Sequence, residues 1–76
     1  MFPKMADITE ALASRNQVRA FQNWREAERL VAARWRVFLD AGDENRAFAF
    51  ASYAAALDAE EAAAGDLAAQ SLPMAA

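Results

Sequence analysis

Between Val18 and Leu39 the large apolar side chains and the charges separate at helical spacing. At ~100° per residue, Phe21, Trp24, Val31, Trp35, Phe38 and Leu39 share one arc, with Val18 at its edge and Ala20, Ala27 and Ala32 filling it. Arg15, Arg19, Gln22, Glu26, Arg29, Arg36 and Asp40 take the opposite side, and Arg25 lies at the boundary. Two features break the division. Glu28 falls inside the apolar arc beside Trp35 and Leu39, whereas Leu30 and Val37 lie together on a flank that a surface helix normally makes polar.

Punctuation around this segment predicts the remaining elements. Asp7 with Glu10 matches a capping box, and a short helix over about 8–13 follows, preceded by a leader over 1–6 in which Met5 is a second candidate start. Ile8 and Leu12 project on the side that Arg19 occupies further along, so a straight helix would change its apolar face midway. A break near Ser14 to Asn16 resolves the conflict, and Ser14 with Gln17 offers a second capping box there. No strong breaker lies in this stretch, however, and one continuous helix remains the alternative. The first long helix then runs over about 16–40, and Gly42 is placed as its left-handed terminator. Asp43 caps a second long helix over about 44–64, which Gly65 ends or is absorbed by, and residues 71–76 form a tail.

So short a turn makes the two long helices antiparallel neighbours in a single domain over 7–70. A turn centred near Gly42 pairs residues whose numbers add to about 84, placing Phe38 near Ala47, Trp35 near Phe50, Val31 near Tyr53 and Trp24 near Glu60 or Glu61. On the second helix Phe50, Tyr53 and Leu57 form a stripe continued by Ala47, Ala54, Ala64 and Ala68. Phe48 stands apart from it among Ser52, Ala55, Ala59 and Ala62.

Composition changes this picture in three ways. A chain of 76 residues is one small domain, and a core of that size is marginal unless a disulfide, a metal or oligomerisation reinforces it. Cysteine and histidine are both absent, which leaves oligomerisation and is compatible with a reducing cytoplasm. There is no 18-residue apolar run of the kind that spans a membrane, and no signal-peptide pattern. The net charge of −3 hides a segregation: residues 15–36 carry six arginines against Glu26 and Glu28, and residues 40–66 carry seven acids against Arg46. Complementary halves favour the antiparallel alignment, with Arg15, Arg19 and Arg25 brought toward Glu60, Glu61 and Asp66. Exposed pairs of this kind set register more than they stabilise.

The inventory for chemistry is short. With no histidine, no cysteine and Lys4 as the sole lysine, acid–base work would fall to carboxylates or Tyr53, and no serine has a histidine to activate it. No catalytic residue and no cofactor is assigned. Glu28 and Glu61, on different long helices, are the sharpest pair. Di-iron helical bundles use inward glutamates with a Glu-x-x-His step, but Val31 and Ala64 stand where the histidines belong. The pattern is better explained by Glu28, Tyr53 and Glu61 as polar groups that fix helix register.

Arginines beside tryptophans, in Trp24-Arg25 and Arg34-Trp35-Arg36, suggest a nucleic-acid alternative in which Arg15, Arg19, Arg29 and Arg36 form the binding face. A pI near 4.7 opposes it. The expected fold is therefore all-α, an antiparallel hairpin that dimerises into a helical bundle. The expected role is a cytoplasmic, non-enzymatic interaction or self-assembly module, whose surface comprises Leu30, Val37, Phe48, Trp24 and Trp35 and whose partner is a second copy or another protein.

Overall fold

A computed structural model describes the backbone of residues 5–71 and the side chains of residues 8–70. It contains two helices, α1 (Met5–Asp40) and α2 (Arg46–Ser71), folded back on each other. Residues 1–4 and 72–76, most of the expected leader and tail, lie outside the described residues, while Met5, Ala6 and Ser71 are helical.

The expected short N-terminal helix is not separate. α1 runs unbroken for 36 residues, because Ala13-Ser14-Arg15-Asn16 contains neither glycine nor proline and the helix loses nothing by continuing. Its start two residues before Asp7 puts that residue inside the first turn and not at the cap. The change of apolar face that argues for a break is therefore real and is carried by one continuous helix. Ile8 and Leu12 remain off the axis of the main seam.

The turn also differs in detail. Ala41 N–H donates to Phe38 O at 3.2 Å, tightening the last turn of α1, and Asn45 N–H donates to Gly42 O at 3.0 Å. Gly42 does not adopt a positive φ, so the helix ends without the left-handed cap expected of it. Ala49 N–H donates to Asn45 O at 2.9 Å, which makes Asn45, not Asp43, the residue that opens α2. At the far end Gly65 is absorbed, and α2 continues to Ser71.

Contact between the helices follows a heptad. On α1 the buried and half-buried positions are Ala20, Trp24, Ala27, Val31 and Phe38, and on α2 they include Ala49, Tyr53, Ala56, Glu60, Ala63 and Leu67. Alternating steps of four and three residues keep one stripe of each helix facing the other. Alanine recurs every seven residues at Ala20 and Ala27, and at Ala49, Ala56 and Ala63. The small side chains let the backbones approach, and the large ones between them fill the remaining space. Ala20, Ala49 and Ala56 are accordingly the buried apolar residues, at 4% exposure for the latter two.

Register is shifted near the turn. Trp35 packs on Tyr53, with ring centroids 5.0 Å apart, and Phe38 meets Phe50 edge-on at 5.7 Å, in place of the expected Trp35–Phe50 and Phe38–Ala47 pairs. Each partner on α2 lies three residues beyond the expected one, and the connection Ala41–Asn45, centred on Asp43 and not on Gly42, accounts for part of that shift. Trp24 does meet Glu60.

The result is a ribbon of 64 × 27 × 12 Å, one helix deep. Its radius of gyration of 18.2 Å compares with roughly 11 Å for a compact domain of this length.

Candidate interaction surface

Because the ribbon is one layer thick, each long helix presents two flanks beside the seam, and the flanks combine into two broad faces. The first carries Phe21, Glu28, Trp35 and Leu39 of α1 with Phe50, Leu57 and Glu61 of α2, placed there by helical spacing from the seam and by the ring contacts near the turn. The opposite face carries Ile8, Leu12, Leu30 and Val37 of α1 with Phe48, Ser52 and Ala59 of α2. Val37, Phe48, Ala49 and Ser52 line a common groove there.

Burial separates the seam from both faces. Among the described residues no large side chain is fully buried. Phe48 is 78% exposed, Val37 54% and Trp35 41%, and Leu30 is also exposed. Of the five residues assigned to an interaction surface, Leu30, Val37 and Phe48 gather on one face, whereas Trp35 belongs to the other and Trp24 lies half-buried in the seam. Phe21 and Leu39 share the main apolar arc of α1, and Phe50 and Leu57 the stripe of α2, yet all four are exposed. The missed signal was the seven-residue alanine spacing, which shows that the contact stripe of α2 runs through Ala49, Ala56 and Ala63 and leaves Phe50 and Leu57 at its edge.

The polar candidates are likewise divided. The Trp24 indole Nε1–H donates to Glu60 Oε1 at 2.9 Å in a partly buried setting, a bond that spans the seam and that serves as its polar registration point. Tyr53 is in the seam through its ring. Glu28 and Glu61 are exposed on the first face, beside the seam and not within it. Among the described residues no group of three or more acidic side chains draws together as a metal site would require. Arg15, Arg19, Arg29 and Arg36 are all exposed toward the back and one flank of α1. Arg19 lines a groove together with Asp66, while Glu60 accepts from the Trp24 indole.

Such a site offers apolar area and a few charges, with no enclosed chamber. Among the described residues no helix is long and apolar enough to cross a membrane. The molecule is defined by its architecture, a two-helix hairpin with an alanine heptad seam. No protein-family model, curated protein or solved structure matches this chain.

Proposed function

We propose that this chain is a small, non-enzymatic interaction module that works by self-assembly, with its exposed faces as the functional site. One observation carries the reading: the hairpin exposes 6477 Å², against roughly 4,600 Å² for a compact folded monomer of its mass. The excess of about 1,900 Å² is more than twice the ~800 Å² that one partner contributes to a standard protein interface. Large apolar side chains contribute to it, among them Phe48 at 78% exposure, Leu39 at 58% and Phe50 at 55%. Patches of this kind mark association sites or become aggregation liabilities when left in water.

The chemistry of the chain supports the same reading. A core made chiefly of alanine contacts provides little apolar burial per residue, and small domains without disulfides or metals are commonly completed by association. Pairing two such ribbons face to face gives a four-helix arrangement, and an isologous two-fold contact is the commonest way to form it. A cysteine-free chain suits a cytoplasmic setting. The test is light scattering after size exclusion at low micromolar concentration, with Phe48→Glu and Leu30→Glu beside the wild type. A dimeric wild type weakened by both substitutions is expected. A strictly monomeric wild type that melts cooperatively, with both variants equally stable, would overturn the reading. The same samples in a mobility-shift assay with duplex DNA at low salt test the arginine face, since a phosphate-dominated complex must form there and weaken steeply as salt rises.

A further inference from the structure

The two helices differ in length, and the difference is exposed at the open end. α1 has 36 residues and α2 has 26. With the turn centred on Asp43, the last turn of α2 lies level with about residue 15 of α1, leaving residues 5–14 of α1 projecting beyond it. An isolated helix of about ten residues is unstable in water. Ile8 and Leu12 on this projection are nonetheless apolar and exposed.

Next to the seam stripe of α1 runs a second heptad stripe, displaced by one residue: Leu12, Asn16, Arg19, Asn23, Glu26, Leu30, Ala33 and Val37. Together with Ile8 it reads apolar, polar at Asn16, basic, polar, acidic, apolar along the helix. Reversed, it sets basic against acidic and the Ile8 end against the Val37 end, with Asn16 opposite Leu30. The midpoint of α1 falls between Gln22 and Asn23, and Arg19 and Glu26 are equally spaced on either side of it. A second copy laid antiparallel about that midpoint overlaps the full length of α1. It sets Arg19 against the partner's Glu26 twice over, and it carries the projecting Ile8 and Leu12 onto the partner's closed end. There Val37, Phe48 and Ala49 line a groove of ≈ 590 Å³ whose rim also carries Arg34, Arg36 and Asp40. The other face lacks this symmetry, because its large apolar residues on α1 begin at Val18, which lines a groove with Phe21, and the projection contributes none to it.

We infer that the self-association face is the one bearing Ile8, Leu12, Leu30, Val37 and Phe48, and that its occupant is a second copy of the chain, paired antiparallel through α1 with the projecting end seated in the partner's groove. This rests on the self-assembly reading and fixes its geometry. The apolar ends supply the burial. Reciprocal Arg19–Glu26 pairs reject the parallel alignment, in which Arg19 would face Arg19 and Glu26 would face Glu26.

A charge exchange tests it. Arg19→Glu and Glu26→Arg are each expected to raise the dimer dissociation constant about tenfold or more, and the double variant to return within about threefold of the wild type. Arg19 also lines a groove with Asp66 of its own chain, but a charge change felt there is not repaired by Glu26→Arg, so rescue isolates the intermolecular pair. The full chain carrying a spin label at Ala11→Cys, the only cysteine then present, gives a second readout. Antiparallel pairing about the midpoint places the two labelled positions about 35 Å apart along the axis at 1.5 Å per residue, whereas parallel pairing brings them within ~20 Å. A wild type that dimerises without charge-exchange rescue, or with the short label distance, overturns this geometry and leaves self-assembly standing. A monomeric wild type removes both.

Discussion

The closed and open ends of the hairpin are held together by different means. Near the turn four rings interlock: Trp35 lies 5.4 Å from Phe38 and 5.0 Å from Tyr53, Phe38 lies 5.7 Å from Phe50, and the Arg46 guanidinium sits 5.9 Å above the Phe38 ring. Beyond Trp24 the seam thins to Ala20, Ala63 and Leu67, and an open groove with Arg19, Asn16, Asn23 and Asp66 runs alongside. The closed end is stabilised by area and ring geometry, the open end by the Trp24–Glu60 hydrogen bond and close alanine contacts. Opening from the far end should therefore be the easiest local unfolding, and the partner proposed for the projecting end would act where the monomer is weakest.

The largest effect should come from breaking the closed end. Phe38→Ala removes the ring that links Trp35, Phe50 and Arg46, and an expected loss of about 2–4 kcal/mol follows from truncating a half-buried aromatic residue. Urea unfolding at fixed protein concentration measures it, since association makes apparent stability depend on concentration. A loss below 1 kcal/mol would show that the rings merely touch at the surface.

Enlarging the seam comes next. Ala56→Leu inserts a branched side chain at a buried position of the seam, and overpacking of this kind costs about 1–3 kcal/mol. Ala55→Leu, one residue away and exposed, should leave hairpin stability within about 0.5 kcal/mol. Equal effects at the two positions would mean that the heptad is not the contact stripe.

Much of the architecture was legible before any coordinates. Two antiparallel helices, a turn near Gly42 and the Trp24–Glu60 meeting follow from periodicity and from the composition of Asp40-Ala41-Gly42-Asp43. The seam on α2 was not legible in the same way, because periodicity arguments weight large side chains and Phe50, Tyr53 and Leu57 drew the stripe to one edge. Close helix packing is governed by the residues that permit approach. In a chain this rich in alanine, the informative positions are those where alanine recurs every seven residues. The sequence alone does not decide for a continuous α1, for a related reason: a changing apolar face implies a break only if both faces serve one monomeric core. Ile8 and Leu12 serve a different surface in the geometry inferred above, and the conflict then disappears. Leu30, Val37 and Phe48 stood out as a separate flank because they disobeyed the main pattern, and the structure gathers them on one face.

At the open end, Trp24→Phe tests the hydrogen bond while retaining most of the ring. Losing the indole N–H leaves Glu60, a half-buried carboxylate, without its donor across the seam. The expected cost is about 1–2 kcal/mol. The comparison is sharpened by hydrogen exchange, where amides of residues beyond Trp24 should lose protection before those of the closed end. Uniform loss over both ends would indicate that the hairpin opens as one unit and that the two ends are not independently held.

The smallest expected effect has the opposite sign. Gly65 lies inside α2 with no positive φ, and a Cβ built on it meets nothing within 4 Å. Glycine in a helix interior costs about 0.5–1 kcal/mol relative to alanine, because its unfolded chain has more freedom to lose. Gly65→Ala should therefore stabilise the hairpin by about that amount, with the gain concentrated at the open end where α2 is least supported. It should also leave the dimer dissociation constant unchanged, since helical spacing from the seam puts position 65 on the outer side of α2, away from the proposed interface. Thermal melts at matched concentration give the first quantity and light scattering the second. Destabilisation would mean that the helix needs the freedom of glycine at this point, and that the last turns of α2 do not form the continuous helix on which the length mismatch with α1 depends.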